Sequence, residues 1–232
     1  MALPPPYRRR RAAKTVNLPM PVWDLPIRLF HWLLVIAVGV SYASVKLNRM
    51  PIHLISGYTV AGLLLFRIIW GLVGSDTARF ARFLRSPLAA IRHLLHFFRR
   101  EPDTEVGHNA AGGWMVLVML LALLVQVGTG LFSNDDGDTE GPLAKFVDKA
   151  MSDTISGIHD KNFNVILGLV GLHVVVITLY ALVKRQNLVR PMFTGKKRLP
   201  AATPAPRMMH PLLALLIAAV VASGVVAFVR LI

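Results

Sequence analysis

Four of the eight histidines stand where an ionisable side chain is costly. His31, His53, His159 and His173 lie in or at the edges of long apolar stretches. A group of that kind at lipid depth defaults to a functional role. His159 and His173 share one apolar segment, 14 residues apart. Fourteen helical steps leave them roughly 40° apart in direction and about 21 Å apart along the axis, so they share a face but not a metal. Two stacked sites can be built on such a helix. By depth, His31 near the start of the first stretch matches His173, and His53 at the start of the second matches His159. Each pair draws on two helices at one level, as bundle cores do when they hold cofactors.

No carboxylate or thiolate accompanies either pair. A hard cation wants more ligands, and oxygen ones. Haem iron needs only two axial ligands, and its apolar macrocycle suits a lipid-depth cavity. Arg28, three residues before His31, and Arg67, on the His53 face of the same stretch, stand near the first pair and suit propionates. Spacing alone leaves a proton relay and histidines hydrogen-bonded between helices as alternatives to two b-type haems. The chain has no cysteine, which excludes covalent haem attachment, iron–sulfur clusters, disulfides and thiol nucleophiles.

The elements that must position these groups are helices. Five apolar stretches, about 27–46, 52–74, 112–132, 158–182 and 211–230, each reach the roughly 17–25 residues of a membrane span. In lipid only a helix satisfies its own backbone at that length. The expected fold is an all-α integral membrane protein: a transmembrane helix bundle whose core could hold two b haems, plus a fifth, C-terminal transmembrane helix. Its parts are a flexible basic arm (1–19), the histidine-bearing transmembrane domain (20–198) and a linker with the fifth helix (199–232). The arginine-rich start imitates a signal peptide. The apolar run begins only near residue 27, lacks a small-x-small cleavage site and carries His31, so a retained helix is expected.

Net charge is +14 in 232 residues, with 54% hydrophobic residues. Such a charge elsewhere would point to nucleic acid, but here it sorts by loop. The arm, 75–107 and 184–209 hold 5, 6 and 7 Lys+Arg, against 2 and 2 around the alternate connections. The positive-inside rule places the basic segments and the N-terminus in the cytoplasm of a bacterial inner membrane. No nucleic-acid groove is implied. Loop 133–157 collects six acids and a net charge near −4 on the opposite, periplasmic side. Segment 86–100 puts Leu88, Ile91, Leu95 and Phe98 on one face, as expected of a helix lying in the headgroup layer. His93 and His96 on it read as surface histidines rather than a shared metal site. Trp23, Trp32, Trp70 and Trp114 read as interface anchors or haem neighbours, with anchors favoured. Gly112, Gly113, Gly168 and Gly171 read as close-packing positions.

The stretch Val22-Trp23-Asp24 … Arg28-Leu29-Phe30-His31-Trp32 resembles the first-helix signature of the bacterial cytochrome b-561 family. The likeness runs on through His53 with Ile55-Ser56-Gly57-Tyr58, Arg67-Ile68-Ile69-Trp70-Gly71-Leu72-Val73-Gly74, Ala78-Arg79-Phe80 and Gly107-His108-Asn109. It continues with Gly128-Thr129-Gly130-Leu131 and the His159/His173 helix, and closes with Asn187-Leu188 and Met192-Phe193-Thr194-Gly195-Lys196-Lys197. It covers about residues 20–198. The superfamily includes the cytochrome b subunits of nickel–iron hydrogenases and formate dehydrogenases. The resemblance implies a four-helix bundle with two non-covalent b haems on His31, His53, His159 and His173. The fifth helix is a departure, since many members stop at four. Ala110-Ala111 stands where most members have proline, which leaves His108 open between a propionate contact, a quinone contact and a helix cap.

Bis-histidine iron carries electrons without an open coordination position. The expected function is transmembrane electron transfer between membrane quinone or quinol and a periplasmic redox partner, a c-type cytochrome or a metalloenzyme, docking near the acidic loop. Lipid is the remaining partner. Two rivals stand beside it: a superoxide oxidase reducing ubiquinone, and a membrane-anchor subunit of a hydrogenase-like complex. A channel lacks a polar pathway, because Ser41, Gln126, Thr129, Thr178 and Ser223 read as isolated.

Overall fold

The computed structural model describes residues 16–99, 104–137 and 139–232. Five helices are long and apolar enough to cross a membrane: α1 (Leu25–Lys46), α2 (Met50–Val73), α5 (Ala110–Gly130), α6 (Lys149–Leu182) and α8 (Pro211–Leu231). Short α3 (Phe80–Phe83), α4 (Pro87–Leu95) and α7 (Val189–Thr194) lie between them. Most of the expected basic arm lies outside the described residues. Its last residues enter strand β1 (Asn17–Pro21), which pairs antiparallel with β2 (Lys196–Pro200). Neither strand shows an alternating apolar pattern, so sequence periodicity gives no sign of this ribbon.

Local chemistry sets the helix starts. Proline occupies the first turn of α1, α2, α4 and α8, where its missing N–H costs nothing. Asp24, Asn109 and Asp148 cap α1, α5 and α6 by accepting from the N–H of Ile27, Gly112 and Met151, each at 2.8 Å. The α5 cap is therefore Asn109, and the helix-capping role considered for His108 is excluded. α6 begins at Lys149, nine residues before the expected span. At about 1.5 Å per residue its 34 residues reach roughly 50 Å, well beyond a hydrocarbon core of about 30 Å. The excess is a polar pillar. Ser152 and Ser156, one turn apart on it, hydrogen-bond Phe132 and Asn134 and pin the loop that follows α5.

Two hairpins, α1/α2 and α5/α6, make the bundle, with α2 also packed on α5. Tyr42 of α1 stacks on Phe163 of α6 at 5.3 Å, which links the remaining pair. The core runs through Phe30, Leu64, Phe66, Trp70, Leu120, Leu123 and Ile166. The fifth helix, α8, lies outside this bundle against α2 and α1. A Cβ on Gly62 would already touch Val225 of α8 at 3.5 Å. The linker to α8 is strapped down, with Arg207 and Met209 N–H bonded to Asp76 and Ser75.

Trp70 is no interface anchor. It is fully buried, and its indole N–H donates to Asp24 Oδ2 at 3.0 Å, tying the end of α2 to the start of α1. Gly113 is a close-packing position, since a Cβ there would meet the Phe83 carbonyl at 2.7 Å. A Cβ on Gly168 or Gly171 would meet nothing within 4 Å, so neither serves close packing within the chain. On α4 and beyond it, Leu95 (76% exposed) and Phe98 (79% exposed) turn outward with Leu88 and Ile91, the face expected to lie in lipid. His93 bonds the Tyr180 hydroxyl and His96 bonds the Arg92 carbonyl, so the two point to separate partners.

Candidate functional site

One end of the bundle carries the ribbon, α3, α4 and α7. The other carries the acidic loop. At the loop end, the ring centres of His53 and His159 lie 6.2 Å apart, with their planes at 85°. Both rings are oriented from behind. Nδ1 of His53 hydrogen-bonds the Ser41 carbonyl at 3.1 Å and the Ser41 hydroxyl at 3.0 Å. Nδ1 of His159 does the same with the Gln126 carbonyl at 2.9 Å and the Thr129 hydroxyl at 3.1 Å. A carbonyl only accepts, so each Nδ1 must carry the proton and each Nε2 a lone pair. Neither Nε2 has a hydrogen-bond partner among the described residues. This is the arrangement that metal-bound imidazoles use.

The geometry fits a bis-imidazole metal. Two metal–nitrogen bonds of about 2.0 Å, with about 1.1 Å from each nitrogen to its ring centre, span at most roughly 6.2 Å. Around the pair lies a cavity of about 340 Å³, lined by Tyr42, Gly57, Val60, Leu123, Gly130 and Phe163 among others. Gly57, one turn beyond His53, leaves that wall open, since a Cβ there would meet nothing within 4 Å. Gly130 is needed for the opposite reason, because a Cβ there would lie 2.9 Å from His159 Cε1. Among the described residues no three His, Cys, Asp or Glu converge, so a metal ion without its own macrocycle finds no site.

The ribbon end is built differently. His31 and His173, at matching depth on α1 and α6, share it with Arg67 and His108. His108 packs against Trp23 and Phe83, with ring centres at 4.6 and 4.9 Å. Burial, and then the charge of Arg67, push its imidazole down to about 3. Arg67 is buried with its guanidinium 4.6 Å above the Phe80 ring. Arg28 donates to the Phe193 carbonyl and passes beside Gly195, whose left-handed backbone (φ 75°) turns the chain into the ribbon. A Cβ on Gly195 would sit 2.8 Å from the Trp23 carbonyl, so glycine is required twice over. Buried nitrogens on Arg28 (Nε), His31 (Nδ1), Arg67 (a terminal nitrogen) and His108 (Nδ1) have no partner among the described residues. Leaving such groups unpaired costs about 1–3 kcal/mol each, so those on Arg28, Arg67 and His108 point to a ligand with oxygen acceptors.

Ser41, Gln126 and Thr129, read from sequence as isolated polar residues, are the groups that orient the loop-end histidines. Asn162 joins them by donating to the Gln126 side chain at 2.7 Å. Gln126 and Thr129 lie three apart, on one face of α5, directly before Gly130. That spacing was the available signal.

A multi-pass helical bundle that brings two imidazoles together beside a largely apolar cavity has the parts of a membrane-bound b-type cytochrome. The family model for prokaryotic cytochrome b561 matches residues 22–195, and the chain belongs to that family. It is thus a bacterial multi-pass membrane protein that uses b-type haem for transmembrane electron transfer. It is also similar to a probable Ni/Fe-hydrogenase B-type cytochrome subunit of Rhizobium leguminosarum bv. viciae, 27% identical over 210 residues, covering 76% of this chain and 87% of that protein. No solved structure matches the chain.

Proposed function

We propose that the chain carries electrons between membrane quinone at the ribbon end and a soluble redox protein at the loop end, through two haems. His53 and His159 hold one, and His31 and His173 the other. The neighbouring, tautomer-fixed rings of His53 and His159 carry this reading. When bound, each haem would supply a one-electron couple.

The chain's own groups do the rest. Ser41, Gln126 and Thr129 aim Nε2 of the loop-end pair. Arg28 and Arg67 offer donors to propionates at the ribbon end, and the buried neutral His108 offers a polar edge to a propionate or quinone oxygen. The apolar walls exclude water. The distribution of Lys and Arg supports a cytoplasmic ribbon end and a periplasmic loop end.

At the loop end, Asp135 and Asp160 line the same cavity as His53 and His159. Backbone N–H groups of Thr139 and Gly137 hold the Asp135 carboxyl below the usual range, so it stays charged. A basic partner is favoured there, whether a c-type cytochrome or a periplasmic metalloenzyme. The hydrogenase-subunit name of the Rhizobium relative supports the metalloenzyme. The same carboxylates disfavour superoxide, an anion, as the electron donor.

The test uses haem-loaded protein in liposomes, with a quinone inside and a membrane-impermeant donor outside. Electron transfer to the inner quinone that is lost in both His53→Ala and His173→Ala is the expected result. Fully loaded protein that passes no electrons overturns the proposal.

A further inference from the structure

The two histidine pairs differ in what stands behind their rings. At the loop end each Nδ1–H has two oxygen acceptors, a backbone carbonyl and a hydroxyl. Thr129 cannot be read the other way round. Its hydroxyl donates to the Val125 carbonyl at 2.7 Å, so toward His159 it can only accept. At the ribbon end the His31 Nδ1 is buried without a partner, and among the described residues His173 makes no ring hydrogen bond. Charge is also divided. Asp135 and Asp160, offset by one lysine (Lys46), line the loop-end cavity. The ribbon end has the buried Arg67 and the half-buried Arg28, offset by one buried carboxylate, Asp24.

Both differences act in the same direction. An imidazole whose N–H is held by good acceptors becomes a stronger donor and favours the oxidised metal. Nearby negative charge favours the oxidised metal too, and buried positive charge favours the reduced one. Taking the two-haem reading as its basis, we infer that the loop-end site is held at a lower potential than the ribbon-end site. The hydroxyls of Ser41 and Thr129 are the positioning residues that set the difference. Their effect is exerted through His53 and His159. With both haems bound, one electron, and no proton, would pass downhill from the loop-end site, which is oxidised, to the ribbon-end site, which is reduced. The fold thereby gives the wire a preferred direction, from soluble partner toward quinone.

Spectroelectrochemical titration of the purified, haem-loaded protein tests this without any turnover. Wild type is expected to show two midpoints. Thr129→Val, close to isosteric, and Ser41→Ala should each raise the lower midpoint and leave the upper one in place. Thr129→Ser should restore it. Movement of the upper midpoint, a lower midpoint that stays put, or equal effects of Thr129→Ser and Thr129→Val overturn the inference. Haem content measured on the same samples separates the two levels. Two haems with an unmoved lower midpoint defeat the tuning role alone, whereas one haem per chain defeats the two-site reading itself.

Discussion

The rings of His53 and His159 lie 6.2 Å apart, centre to centre, with their planes nearly perpendicular, at 85°. They come from different hairpins of the bundle, and each is fixed from behind by the other helix of its own hairpin. The orientation therefore belongs to the protein and not to a ligand that pulls the rings together. It gives the rings a spectroscopic signature. Perpendicular axial imidazoles leave two iron d orbitals nearly equal in energy and produce a strongly anisotropic low-spin ferric EPR line. That line should be present in wild type and absent from His159→Ala. A wild-type spectrum of rhombic signals alone, as parallel rings give, would contradict the geometry.

Gly57 and Gly130 flank the same pair and should fail in different ways. Gly57→Leu places a side chain in the cavity with nothing of the protein in its path. Haem occupancy of the loop-end site should fall while helix content and thermal stability hold. Gly130→Leu drives a Cβ into the His159 ring, as overpacking costing about 1–3 kcal/mol. Its melting temperature should fall along with haem content. Equal melting of the two variants would remove the distinction.

The acidic loop sets a rate that depends on salt. Asp136→Asn with Glu140→Gln lowers the charge at the proposed docking face by two. Electron exchange with a basic soluble partner should slow roughly 3- to 10-fold at low ionic strength. The difference should vanish as the screening length shrinks below about 10 Å above 0.1 M salt. Rates of the two proteins that stay parallel at all salt concentrations would contradict docking at this loop.

His108 gives an acid signature. Its folded value is about 3, whereas an unfolded histidine titrates near about 6.5. Between the two the unfolded chain binds more protons, so stability falls as pH drops from about 6.5 toward 3. The melting temperature of His108→Asn should fall less steeply over that window than that of wild type. Identical slopes would show that His108 is not held neutral.

The five spans were legible because lipid demands long apolar helices. The family resemblance was legible because its motifs recur in order. What lay hidden depended on contacts between distant segments. The first turns of α6 are polar and read as loop, yet their serines form the pillar that holds residues 132–134. Trp70 carries the sequence signature of an interface residue, and only its meeting with Asp24, 46 positions away, shows it to be core. Ser41, Gln126 and Thr129 looked isolated because each partners a histidine on another helix. The ribbon was invisible because proline and lysine carry no strand period.

Haem counting by ligand substitution tests the two-site assignment most directly. Two b-type haems per chain are predicted in wild type, and one in each single alanine variant at His31, His53, His159 and His173. One is also predicted in the double variants His53→Ala/His159→Ala and His31→Ala/His173→Ala, and none in His53→Ala/His173→Ala. A haem count that falls to zero in His53→Ala/His159→Ala, or a wild-type protein with a single haem, would contradict it.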